Sequence, residues 1–197
     1  IQLAMQDAML QYSRIAYSTM AASGKPAHRS GAGTITGGNA PMGLYQCKPG
    51  GLNDYVYVYV TRANSSHWHR LLKVMGREDL IDDERYDSPT KRAERREEVD
   101  AIVKPWAAAL TKQEAMAALG GAGVPTGAVY DTRELQDNPD FEERGIFQHI
   151  EHPTRGDFKM AGWPAKMSGS NVPVAPAPLL GEHNEAVLGD WRGQDIG

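Results

Sequence analysis

Four clusters in the sequence carry residue types that could do chemistry. His67 and His69 flank Trp68. In a strand that spacing would place both imidazoles on one face, but here it falls at the start of a helical pattern, where i and i+2 diverge. No cysteine or carboxylate cluster with ligand spacing lies nearby, so we expect surface histidines and no metal. Cys47 stands beside Lys48, and a neighbouring cation can lower a thiol pKa. A nucleophilic thiol also needs a base, and no local histidine supplies one, so a small packed side chain is the plainer reading. Lys91-Arg92-Ala93-Glu94-Arg95-Arg96-Glu97-Glu98 mixes both charges at helical spacing and reads as a solvated face with i,i+4 pairs. The fourth cluster is Gly37-Gly38-Asn39-Ala40-Pro41-Met42-Gly43. It lacks the Gly-Lys-Ser/Thr ending of a phosphate loop and precedes a strand instead of joining strand to helix. Two readings stay open: a glycine-rich flap over a reactive centre, since glycine permits close approach and movement, or a disordered tether.

These residues sit on a mixed α/β pattern of elements. Residues 3–20 read as one amphipathic helix, with Leu3, Met9, Leu10 and Ile15 as its apolar stripe. A stretch rich in glycine and proline runs from Gly24 to Gly51. Tyr55-Val56-Tyr57-Val58-Tyr59-Val60 predicts a strand with tyrosines on one face and valines on the other. Trp68, Leu71, Leu72 and Met75 follow at helical spacing behind Ser65 or Ser66 as cap, and Gly76 marks the stop. Ser88-Pro89 opens a charged helix to about Lys104 that Pro105 ends or kinks. Thr111 and Glu114 form a capping box for a helix ending at Gly120-Gly121. A short strand over 124–130, helices over 132–136 and 139–144, a hairpin around Pro153-Thr154-Arg155-Gly156, a proline-rich linker over 172–178 and a last helix over 182–191 complete the pattern.

Composition narrows the partners. The net charge of -4 argues against a nucleic-acid footprint, which needs clustered Lys and Arg. A single cysteine excludes an intramolecular disulfide and points to a reducing compartment. No apolar run approaches the roughly 20 residues that span a bilayer, and no signal peptide is read, so the expected location is cytoplasmic. The sequence opens at Ile1 within a helical pattern, and we expect the chain to start partway through a longer domain.

Several blocks, in series, resemble the class III (CaiB/BaiF-type) CoA-transferases, particularly the formyl-CoA transferases. They are Met5-Gln6-Asp7-Ala8-Met9-Leu10, Gly37-Gly38-Asn39-Ala40, Gly43-Leu44-Tyr45-Gln46-Cys47-Lys48 and Asp54-Tyr55-Val56-Tyr57-Val58. Gly76-Arg77-Glu78-Asp79-Leu80, Ala122-Gly123-Val124-Pro125-Thr126-Gly127-Ala128-Val129, His152-Pro153-Thr154-Arg155-Gly156 and Pro178-Leu179-Leu180-Gly181-Glu182-His183 follow in the family's order. The resemblance implies the C-terminal part of the family's α/β fold. Residues 1–23 would be a helix of the Rossmann-like large domain, 24–54 a linker and flap, 55–170 the small α+β domain, and 171–197 a tail returning to the large domain. Two full chains would interlock as a homodimer.

The implied reaction moves CoA between carboxylic acids. An aspartate attacks the acyl-CoA thioester to form an anhydride, an enzyme-bound CoA thioester follows, and the acceptor acid takes over the CoA. A coenzyme A thioester is then a substrate, acyl-CoA and carboxylic acids are the partners, and neither metal nor redox cofactor is used. The family's nucleophile lies upstream of the Met5-Gln6-Asp7-Ala8 helix, so no residue of this chain matches it and Asp7 does not stand for it. Met5 matches a position bordering CoA, and Gly37, Gly38, Asn39, Ala40, Pro41, Met42 and Gly43 match the substrate flap. Formyl-CoA transferases carry a glycine run followed by Gln where this chain has Pro41-Met42-Gly43, so formyl and oxalate are not carried over as substrates. The α-methylacyl-CoA racemases of the same superfamily carry a glutamate before the helix that follows the tyrosine-rich strand; Asn64 or a neighbour stands there. A binding or assembly module without catalysis is the reading from another class.

Overall fold

The computed structural model describes residues 2–29, 38–170 and 172–192. Contacts divide the chain into two compact units, Ile1–Val129 and Tyr130–Gly197. In the first, α1 (Met5–Tyr12) and α2 (Arg14–Ser23) replace the single helix expected over 3–20. Ser13 takes ψ 3° and its N–H reaches back only three residues to Leu10, 3.1 Å away, which turns the chain out of the helical path. Gly24 ends α2 at φ 68°, a left-handed conformation suited to glycine. Neither helix buries a residue.

The first unit is built on an antiparallel sheet in the order β1 (Met42–Gln46), β2 (Tyr55–Tyr59), β3 (Thr126–Ala128). Gly43 opposes Val58 and Tyr45 opposes Val56, so these four share one face. Val56, Val58 and Val60 are fully buried there, as the alternation requires. The third strand is shorter than the stretch 124–130 because only Thr126 to Ala128 find register partners on β2.

Helices close over that valine face. α3 (Ser66–Val74) contributes Trp68, Leu71 and Leu72. α4 (Pro89–Glu94) begins with the Ser88 cap, and a break at Arg95 separates it from α5 (Arg96–Ala108), where one helix was expected. α5 runs through Pro105 and does not end there. Proline leaves the Ala101 carbonyl without its helical donor. Ala101 and Pro105 are both on the exposed side, where water can satisfy that carbonyl, while Val103 and Ala107 hold the turn against the core. α6 (Lys112–Gly121) starts on the expected Thr111–Glu114 capping box and buries Ala115 and Leu119.

In the second unit, α7 (Thr132–Gln136) is capped by Asp131 and α8 (Pro139–Glu143) by Asn138. The hairpin β4 (Phe147–His152) and β5 (Gly156–Ala161) pairs in full register. His152 Nδ1 accepts the Thr154 and Arg155 N–H groups at 3.2 and 3.3 Å and shapes its turn. Lys159 donates to Glu142 at 2.6 Å, joining hairpin to α8. α9 (Asn184–Arg192) follows the extended stretch after 172.

Candidate functional site

The segment leading into β1 is where the glycine-rich cluster meets the charged helices. Gly37 lies outside the described residues. A Cβ on Gly38 would stand 3.3 Å from Ala93 Cβ, so the backbone passes α4 at a distance only a small pair of residues permits. Asn39, Ala40, Pro41 and Met42 are all buried. Every carbonyl in this run has a donor. Arg96 Nη2 donates to Asn39 O at 2.6 Å and its Nη1 to Met42 O at 3.0 Å. Arg92 Nε donates to Ala40 O at 3.0 Å, and the Val60 N–H donates to Pro41 O at 3.1 Å.

Arg92 is 1% exposed, stacks over the Trp68 ring at 5.3 Å, and also donates to Tyr86 O at 2.8 Å. Burial pulls its pKa down, partly opposed by the charge of Asp87. Among the described residues neither Arg92 nor Arg96 has a carboxylate within ion-pair distance. The Asn39 side chain donates from Nδ2 to Tyr59 Oη at 3.3 Å, while among the described residues its buried Oδ1 has no hydrogen-bond partner. An orphaned acceptor of this kind is uncommon in a protein interior.

The solvated-face expectation for residues 91–98 is therefore corrected: two of its cations point inward. The signal was available in the spacing. Val99, Val103 and Ala107 mark the buried stripe of α5, and stepping back by three and then four residues gives Arg96 and Arg92. The outer residues behave as expected, with Lys91 paired to Asp87 at 2.8 Å and Arg95 only 4.0 Å from Glu94 and Glu98. Arg92, Arg96, Ala93 and Tyr59 are the members of this site that the sequence does not single out.

The remaining candidates stand apart from this segment. His67 and His69 lie in α3, half-buried, with His67 Nδ1 3.5 Å from Thr61 Oγ1. Among the described residues no three His, Cys, Asp or Glu side chains are placed to hold a metal. Cys47 is buried, and burial pushes its thiol pKa up, opposite to the effect a free Lys48 neighbour would have. Its Sγ lies 3.7 Å from Tyr45 O. Tyr45 donates to Asp100 at 2.6 Å, and burial followed by that carboxylate raises the phenol pKa. Asn64 Oδ1 accepts from Ser66 N at 3.0 Å and Ser66 Oγ at 2.7 Å at the entry to α3, whose N-cap position, Ser65, makes no side-chain cap. Met5 is 87% exposed on α1. A cavity of about 340 Å³ is lined by Gln11, Tyr12, Arg14 and Ile15 at the α1–α2 junction. Among the described residues no helix is long and apolar enough to cross a membrane.

The amino-acid sequence matches CoA-transferase family III over residues 1–184. The chain belongs to that family. It is 34% identical over 155 residues to a formyl-CoA:oxalate CoA-transferase of Streptomyces coelicolor, covering 79% of this chain and 37% of that protein. A formyl-CoA:oxalate CoA-transferase of Rhodopseudomonas palustris is 32% identical over 162 residues, 82% of this chain and 38% of the relative. Among solved structures, a CAIB/BAIF family protein from Brucella suis superposes with a TM-score of 0.74 at 21% identity, over 93% of this chain and 46% of that one. A Mycobacterium tuberculosis protein gives 0.69 at 19% identity, again over 93% and 46%. The chain thus spans less than half the length of each of these proteins.

Proposed function

We propose that this chain forms the C-terminal portion of a CoA-transferase that moves CoA between carboxylic acids through aspartyl anhydride and enzyme-thioester intermediates. The observation that carries this function is the family match over residues 1–184. Its nucleophilic aspartate is expected on the remaining part of the family fold, and no residue of this chain is assigned to it. Residues 1–23 belong to the large domain, 24–54 to the linker and flap, 55–170 to the small domain, and 171–197 to the returning tail. The flap, Gly37 to Gly43, borders the reactive centre, where excluding water protects an anhydride from hydrolysis. Met5 borders CoA, and its exposure on α1 leaves it accessible for that role. The working enzyme is an interlocked cytoplasmic homodimer whose substrates are an acyl-CoA and a carboxylic acid.

Transfer is favoured over racemisation because Asn64 or a neighbour stands where the racemases carry glutamate. A racemase needs a proton-exchanging group at the acyl α-carbon, whereas Asn64 carries an amide whose Oδ1 is taken up by Ser66. The test is to incubate the full-length protein with a panel of acyl-CoA donors and carboxylic acids, formyl-CoA and oxalate among them, and to follow acyl-CoA species by mass spectrometry. The expected result is a new acyl-CoA formed at the expense of the donor, with a CoA adduct trapped on the protein. Deuterium entering the donor's α-position without CoA exchange would give the racemase. Neither reaction with any pair would leave the binding module.

A further inference from the structure

We infer that Arg92 and Arg96 are positioning residues that clamp the main chain of Asn39–Met42 and thereby set how tightly this border of the reactive centre excludes water, an inference that rests on the transferase reading above. Arg96 acts as a fork. Its two terminal nitrogens hold the carbonyls of Asn39 and Met42, three residues apart, across the intervening Ala40-Pro41. Arg92 holds the Ala40 carbonyl between them. Guanidinium suits this task because its donors are fixed in one plane, whereas an ammonium is a point donor on a flexible stem.

The arrangement is costly as a purely structural device. Among the described residues Arg92 is buried without a carboxylate to neutralise it, a situation that normally disfavours the charged form. Among them, too, the same segment buries the Asn39 Oδ1 acceptor without a donor. Carbonyls of an ordinary surface turn are satisfied by water at no such cost. Two unneutralised cations, an orphaned acceptor and the close passage of Gly38 past Ala93 converge on four residues. Such local conflicts concentrate where position matters more than stability.

The chemistry that depends on position is the partition of the acyl group. Transfer hands CoA from one carboxylic acid to another and leaves no free thiol. Hydrolysis adds water across the thioester C–S bond and yields a carboxylic acid and CoA thiol. A loosened border therefore raises the thiol released per acyl-CoA consumed.

The experiment compares Arg96→Ala, Arg96→Lys and Gly38→Ala with wild type in the full-length protein, measuring that thiol share and amide hydrogen exchange. The Val60 N–H, which donates to Pro41 O, reports on the clamp, and the Ala115 N–H, which donates to Thr111 O in α6, is the internal reference. For Arg96→Ala, Val60 exchange and the thiol share should each rise at least tenfold, since each charge-assisted bond lost is worth about tenfold or more, with Ala115 unchanged. Arg96→Lys should resemble Ala, because a single ammonium on a flexible stem lacks the planar fork whose two nitrogens meet the Asn39 and Met42 carbonyls separately; Lys behaving as wild type in both measurements would overturn the fork. Gly38→Ala should shift both quantities the same way by less. Unchanged Val60 exchange, or a fall in transfer and hydrolysis together at constant ratio, would reduce Arg96 to a packing role and overturn the inference. Should the wild type transfer CoA between no pair of acids, the transferase reading fails while Val60 exchange still decides whether the clamp exists.

Discussion

The pair α1–α2 and the pair α4–α5 lie in the same compact unit and reverse what their compositions suggest. Met5, Met9, Leu10, Tyr12, Ile15, Tyr17 and Met20 are all exposed on α1 and α2. The run Lys91–Glu98, charged at every position except Ala93, sends Arg92 into the core and Arg96 onto buried backbone. Burial is decided by what an element meets, and apolar area is stabilising only when another surface removes it from water. α4–α5 meets a stretch of main chain whose carbonyls need donors, and arginine supplies several in one plane. α1–α2 leaves seven large apolar side chains exposed, a feature found at interaction surfaces.

The comparison can be broken at several points. Arg92→Ala removes charge-assisted bonds to Ala40 O and Tyr86 O together with the Trp68 stacking, and should cost about 3 kcal/mol in urea unfolding. A change below the scatter of the measurement would mean that relief of the buried charge offsets the lost bonds. Thr111→Ala sets the scale of an ordinary polar contact: it deletes one half of the α6 capping box and should cost about 1 kcal/mol. Smaller still is a pH effect on the exposed side of the unit. The Arg85 guanidinium holds the Asp83 carboxyl at about 2. A depressed carboxylate stabilises the fold fully above its unfolded value near 4 and loses that contribution as pH falls toward 2. Asp83→Asn should therefore lower the urea midpoint near neutrality and flatten it over that interval, converging on wild type as pH approaches 2. Last, Met9→Ser on α1 should move the stability of this chain by no more than about 0.5 kcal/mol. It should also reduce any self-association seen by sedimentation; a large loss of stability would show that α1 packs more deeply than its exposure indicates.

Features encoded within a few residues are legible in the amino-acid sequence. The alternating Tyr-Val run forms β2 with its valines inward, Thr111 and Glu114 form their box, Ser88-Pro89 opens a helix, and Pro153 to Gly156 turns a hairpin. What escapes depends on contacts distant in sequence. Pro105 reads as a stop or a kink until Val103 and Ala107 are seen packed on either side of it, with the helix running on. Arg92 and Arg96 read as solvent-facing until the carbonyls of residues 39 to 42, more than 50 positions away, arrive in front of them. The glycine cluster is visible as a segment, but its partners are not, since hydrogen bonds to main-chain carbonyls leave no pattern in side-chain types.

The burial of Lys112 has a consequence for proteases. Lys112 is 3% exposed and its amine donates to Asn53 O at 3.2 Å and Val129 O at 2.8 Å, so it ties the turn before β2 to the end of β3. Trypsin must draw a basic side chain into its own pocket with several residues of unfolded backbone on either side. The bonds after Lys112 and Arg92 are thus cleavable only when this unit opens, whereas Lys73, exposed in the last turn of α3, needs no more than local fraying. The first two cuts count openings of the core and the third counts loosening of one helix turn, so a single digest time course separates two kinds of motion in the same molecule.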